Sequence, residues 1–171
     1  MNPMRNLRIE KITLNIGTGK EQARLEKGMK LLKMITGISP IKTVSTKRIP
    51  GWGLRLGLPI GCKLTLRKKA AKEVLIRLLE SKDNQLSPNQ FDSNGNLAFG
   101  IPEYIDIPEA NYDPDIGIMG LEVCVTLERA GFRIKKRKLK QKKIPTKHKI
   151  TKEEAIDFIS KQFNVKVGEE E

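Results

Sequence analysis

The chain has 171 residues, 38% of them hydrophobic, and a formal net charge of +13. That length suits one domain with a true core plus an appendage, and the charge points to an anionic partner. No long apolar span or charged-then-apolar leader is visible, which speaks against insertion or secretion, and two cysteines without a CxxC pair beside one histidine suggest neither zinc nor a disulfide framework.

The charge is also sorted along the chain. Residues 27–72 hold twelve Lys and Arg and no acid, residues 73–128 hold eleven acids against Arg77 and Lys82, and residues 129–152 are again free of acids. Sorting favours nucleic acid over a merely solvated basic surface, because phosphates that meet Lys or Arg release condensed counterions. An anionic membrane is a lesser third reading.

Ile12, Leu14 and Ile16 alternate with Thr13 and Asn15, the period of a half-buried strand that Gly17 and Gly19 end. Leu25, Met29, Leu32 and Ile35 recur at helical spacing, so a helix is predicted over about 21–36, stopped by Gly37 and Pro40. Residues 41–46 are short and strand-like. From Pro50 to Gly61 turn formers dominate, around Trp52 with Lys47, Arg48 and Arg55 nearby, which reads as a long mobile loop. An exposed Trp among cations favours a contact loop over a passive connection. Cys62, Leu64 and Leu66 then alternate with Lys63, Thr65 and Arg67, giving a strand with one apolar and one basic, polar face.

Ala71, Val74, Leu75, Leu78 and Leu79 mark a second helix, and short strand-like segments follow at 97–99 and 104–107. Leu121, Val123, Val125 and Leu127 alternate with Glu122, Cys124, Thr126 and Glu128, the clearest strand of the C-terminal half. Cys62 reads as a core thiol; the burial of Cys124 is less determined. In residues 133–149 ten of seventeen side chains are basic, with little apolar anchorage, so the segment is expected to be extended or disordered in isolation and open to proteases. Thr151 and Glu154 form a capping-box pattern ahead of Ala155, Phe158, Ile159 and Phe163, and residues 168–171 read as a solvated acidic end.

Candidate chemistry is thin. Gly17-Thr18-Gly19-Lys20 lacks the earlier glycine and the following hydroxyl of a phosphate loop and reads as a strand-to-helix turn. The glycines around Trp52 miss dinucleotide spacing. His148 has no partner in sequence to make it a base, so a phosphate contact or plain exposure fits it better, and Glu109, Asp113 and Asp115 are better turn formers than metal ligands. No nucleophile with a positioned base is found, so no enzyme activity and no cofactor are expected.

Four motifs recur in order: residues 11–19 (KITLNIGTG), 59–67 (PIGCKLTLR), 91–96 (FDSNGN) and 108–113 (PEANYD). Together they resemble the universal large-subunit ribosomal protein family that binds 5S rRNA, the L five family, over most of residues 7–128. Residues 143–155 (KIPTKHKITKEEA) are similar to its archaeal and eukaryotic branch. The resemblance implies an α+β fold, a mostly antiparallel sheet with helices packed on one face, with a long basic loop and a basic C-terminal extension. Domains of 1–132 and 133–171 are expected. It further implies a cytoplasmic structural role in the large subunit, with 5S rRNA, large-subunit rRNA, P-site tRNA and neighbouring large-subunit proteins as partners and no membrane.

By resemblance, Asn15 and Thr65 fall at RNA-contact positions, and Thr13, Lys42, Lys63, Arg67 and Lys68 join them as candidate rRNA residues. The segment 46–58, with Lys47, Arg48, Trp52 and Arg55, falls on the loop that faces the T-loop region of tRNA. Arg133, Lys135, Lys136, Arg137, Lys138, Lys140, Lys142 and Lys143 form the basic tail. Ile38 and Ser39 replace a common Gln-Lys pair, which leaves that polar contact open, and Lys68 stands where bacterial members often have Gly. A general nucleic-acid-compacting protein is the alternative, distinguished by equal affinity for any duplex.

Overall fold

The computed structural model describes residues 2–168, so all but Gly168 of the acidic end read at 168–171 lies outside the described residues. In chain order the elements are β1 (Leu7–Gly17), α1 (Gln22–Thr36), β2 (Ile41–Val44), β3 (Pro59–Leu66), α2 (Lys68–Glu80), β4 (Gln85–Leu86), β5 (Leu97–Ile101), β6 (Leu121–Arg129), α3 (Lys152–Phe163) and β7 (Lys166–Val167). Strands β2, β3, β1, β6 and β5 lie in that order in a five-stranded, mostly antiparallel sheet, which bears out the α+β reading. Strands β4 and β7 make a separate parallel pair, Gln85 opposite Lys166, too short to leave any periodicity in the sequence. No described helix is long and apolar enough to cross a membrane.

The chain divides into two compact units, one holding the N-terminus to Ile12, Arg67–Ala98 and the chain from Cys124 onward, the other Thr13–Leu66 and Phe99–Val123. In the second unit Leu14 and Ile16 of β1 and Cys62, Leu64 and Leu66 of β3 are buried at alternate positions. Helix α1 covers that side with Leu25, Leu31, Leu32 and Ile35, each worth about 1.5–3 kcal/mol when fully buried. Gly28 permits the close approach: a Cβ there would sit 3.3 Å from Cys62 Sγ and 3.4 Å from Ile16 Cγ2. The helix stops at Gly37, whose left-handed backbone (φ 71°) lets its N–H reach the Lys33 carbonyl at 2.8 Å. Ile38 and Ser39 follow it, both exposed.

In the first unit α2 buries Ala71, Val74, Leu75, Leu78 and Leu79, and α3 buries Ala155 and Ile159. The capping box forms as expected, with Glu154 N–H on Thr151 Oγ1 at 3.3 Å and Thr151 N–H on Glu154 Oε2 at 3.1 Å. Cys124 is exposed on β6 and neither cysteine is in a disulfide; burial pushes the Cys62 thiol up to about 11, so it stays protonated and inert.

Candidate nucleic-acid interface

Because α1 takes the apolar side, the other side of β1 and β3 in the second unit is left open. Thr13 and Asn15 are half-buried there, and Lys63 and Thr65 are exposed. Lys42 does not join them. In the β2–β3 register Ile41 faces Lys63 and Lys42 faces Cys62, and residues opposite one another share a side, so Lys42 lies on the side of Cys62. Every residue of β2 is exposed or half-buried, so alternation could not reveal its faces in the sequence.

Glu122 is the residue on this unit that sequence reasoning missed. Asn15 Nδ2 donates to Glu122 Oε2 at 3.0 Å, which leaves the amide oxygen as an acceptor and sets a carboxylate beside it. A phosphate is repelled at that spot, whereas a 2′-hydroxyl or base N–H is welcome.

The segment 46–58 is more ordered than its turn formers suggested. Its base is closed by Ser45 N–H to the Leu58 carbonyl (2.8 Å) and Gly57 N–H to the Ser45 carbonyl (2.9 Å). Ile49 and Leu54 exchange two backbone bonds of 3.0 Å, Pro50–Trp52 forms a single 3-10 turn, and Gly53 closes it at φ 66°. Pro and Gly serve this hairpin extension as turn residues, which corrects the reading of a loop without regular structure. Leu54 is buried, while Lys47, Arg48 and Arg55 are exposed and Trp52 remains 71% exposed.

Arg67 and Lys68 belong to the first unit. Arg67 Nη1 lies 3.3 Å from Glu10 Oε1, so its charge is partly spent within the chain. Lys68 opens α2 at φ 57°, a left-handed backbone that costs a non-glycine residue about 1–2 kcal/mol and that glycine would adopt without that cost.

Tail residues Arg133, Lys135, Arg137, Lys138, Lys140, Lys142 and Lys143 are exposed. Lys136, also exposed, is ion-paired with Glu10 and, at 3.9 Å, with Glu128. Burial alone would raise the Glu10 carboxyl; Lys136 and then Arg67 outweigh it and hold it below the usual glutamate value. The tail is therefore better anchored than its composition implied. Phe132 and Ile150 are buried at its two ends. Arg129, 5% exposed at the end of β6, ties the far end of the tail down: its guanidinium meets Glu154 at 2.7 Å and the Lys149 carbonyl at 3.2 Å.

His148 is half-buried rather than plainly exposed: its Nε2 lies 2.9 Å from the Ala130 carbonyl and its ring meets Phe132 edge-on at 5.7 Å. Both anchors use backbone carbonyls, and the Glu154 partner of Arg129 lies 25 residues on, so neither left a local side-chain pattern to read in the sequence.

The remaining chemistry stays bland. Thr18 and Gly19 N–H both bond the Ile60 carbonyl (2.9 and 3.1 Å), so the amides a phosphate loop would aim at an anion are already used. Asp113 and Asp115 hold Lys30 at 2.7 and 3.1 Å, and Asp115 N–H caps Asp113 Oδ1, a turn as expected. Among the described residues no group of three His, Cys, Asp or Glu is placed to hold a metal ion.

A family model described as ribosomal protein L5 matches residues 2–55, and a second, described as the C-terminus of the same ribosomal protein family, matches residues 59–158. The large ribosomal subunit protein uL5 of Sulfurisphaera tokodaii is 45% identical over 170 residues, 99% of this chain and 96% of that protein. Its counterpart in Methanobrevibacter smithii is 46% identical over 96% of this chain and 97% of that protein. That of Methanococcus maripaludis is 45% identical over 98% and 94%. With both parts of the family matched in order, on an α+β frame that keeps a polar sheet face open, this chain belongs to the ribosomal protein L5 (uL5) family.

Proposed function

We propose that this chain, a structural and non-enzymatic constituent of the large ribosomal subunit in the cytoplasm, binds 5S rRNA there and contacts P-site tRNA through the hairpin tip at 46–58. The observation that carries 5S rRNA binding is the polar sheet face opposite α1, on which Thr13 and Asn15 are half-buried and Lys63 and Thr65 exposed. Helix α2 adds a second support. Lys68, Lys69 and Lys72 crowd its N-terminal end with no acid in the first turn, where the helix dipole disfavours a cation by about 0.3–1 kcal/mol. Phosphates of a bound RNA relieve that repulsion and the left-handed strain at Lys68 is tolerated for the contact it gives. Large-subunit rRNA is the partner proposed for the basic tail, and neighbouring large-subunit proteins complete the setting.

Binding of full-length protein to 5S rRNA and to an unrelated structured RNA of equal length, over a series of salt concentrations, tests this. Neutralising about five phosphates gives a log–log slope near −4. Equal affinity for both RNAs would instead mark a general nucleic-acid binder.

Asn15→Ala and Thr65→Val should each weaken 5S rRNA binding by about 0.5–1.5 kcal/mol, a hydrogen bond apiece, with the unfolding midpoint unchanged. Wild-type affinity in both folded variants would take the RNA off this face.

A further inference from the structure

Within the first unit, the returning tail and the FDSNGN turn border a half-open cavity of about 410 Å3 that the sheet-face reading does not use. Its size lies in the roughly 300–1,000 Å3 range of small-ligand sites. Leu127, Phe132, Ile144 and Ile150 give it an apolar lining, and Asn94, Asn96 and Thr126 supply polar groups. Three exposed lysines, Lys135, Lys143 and Lys149, complete it, and no carboxylate is among the lining side chains.

The polar groups are held in place and left with capacity to spare. Asp92 Oδ1 accepts the N–H groups of Asn94 (2.9 Å) and Asn96 (2.7 Å), and its Oδ2 accepts Asn96 Nδ2 at 2.8 Å. Gly95 locks the turn against the start of α3: its φ is 76°, and a Cβ there would lie 2.5 Å from Ile150 Cγ2. Among the described residues the side-chain amide of Asn94, Asn96 Oδ1 and the Thr126 hydroxyl have no hydrogen-bond partner. An amide pair that both donates and accepts, above an apolar lining and beside cations, matches the edge, the face and the phosphate of a nucleotide.

We propose that this cavity receives one unpaired nucleotide of ribosomal RNA, its base against the apolar lining and the Asn94, Asn96 and Thr126 groups, its phosphate on Lys135, Lys143 and Lys149. The inference rests on the rRNA-binding reading above. RNA is favoured over a free nucleotide because the cations continue past the cavity through Arg137, Lys138, Lys140 and Lys142, enough for a run of phosphates.

The test measures affinity of full-length protein for 5S rRNA and, separately, for large-subunit rRNA, with Asn94→Ala/Thr126→Val beside wild type. An affinity about tenfold weaker for one of the two RNAs, at unchanged salt slope, is expected, since hydrogen bonds and no phosphate contact are removed. Lys143→Gln/Lys149→Gln should lower the slope by about one. The single variant Asn94→Ala, at an exposed turn position, serves if the double variant unfolds early. Unchanged affinity for both RNAs in a folded variant overturns the proposal. Titration with each of the four nucleoside monophosphates to about 1 mM should show no saturation; saturable binding that Asn94→Ala abolishes would assign the cavity to a soluble nucleotide and overturn it as well. Should 5S rRNA show no selectivity while the variant still loses large-subunit rRNA affinity, the 5S rRNA assignment fails and the cavity stands.

Discussion

Arg129→Met is expected to destabilise the first unit by about 3 kcal/mol and to free the tail. The guanidinium is nearly buried and bridges Glu154 on α3 to the carbonyl of Lys149. Its loss strands that carbonyl and removes the counter-charge from Glu154. Because the Glu154 side chain is 44% exposed, it can rehydrate, which keeps the effect below the upper range for broken buried pairs. Arg129 Nε has no partner and is already desolvated, a small offset in the variant's favour.

Urea unfolding measures the loss, and limited trypsin digestion locates it. Lys147 and Lys149 are as exposed in their side chains as residues 137–143, but wild type should be cut within 137–143 and resist at 147 and 149, where the backbone is held by the His148 and Arg129 anchors. In the variant those two sites should open. An unchanged midpoint with an unchanged digestion pattern would show that the tail is held by something other than Arg129.

Acid should act on the same anchors. Glu154 is raised by burial but brought lower overall by the Thr151 N–H and Arg129, and Glu10 by Lys136 and Arg67. A carboxyl whose folded value is depressed stabilises the fold above its unfolded value, and that contribution disappears as pH falls through the folded one. Tail release below the ordinary glutamate range follows.

How much of this was visible in the sequence depends on whether the signal was local. Strands β1, β3 and β6 alternate, α1 carries its own stop at Gly37, and α3 announces itself through Thr151 and Glu154; each element states its structure within a few residues. The open face with Asn15 and Thr65 follows directly from that alternation. What the sequence hid needs partners far along the chain. Lys136 meets Glu10, Asn15 meets Glu122, and the face on which Lys42 sits is fixed by its register opposite Cys62. Glycine and proline around Trp52 were informative about turns and silent about pairing, since the Ile49–Leu54 bridge and the Ser45–Leu58 closure make a hairpin of them.

That hairpin should separate the two RNA roles. Replacing residues 47–57 by an Asn-Gly turn is expected to cut P-site tRNA occupancy of reconstituted large subunits at least about tenfold while leaving 5S rRNA affinity within about twofold. The tip holds Trp52 and Leu56 at 71% and 73% exposed, an apolar surface that is unfavourable in water unless something covers it. Lys47, Arg48 and Arg55 surround it, with no acid in the segment. Base–aromatic stacking is worth about 1–3 kcal/mol, so Trp52→Ala alone should reproduce a large part of the loss. Thr13, Asn15, Lys63 and Thr65 lie outside the excised residues, and the turn re-joins the β2–β3 hairpin close to its base at Ser45 and Leu58, so the sheet face should survive. Loss of 5S rRNA binding with tRNA occupancy unchanged would reverse the assignment of the two surfaces.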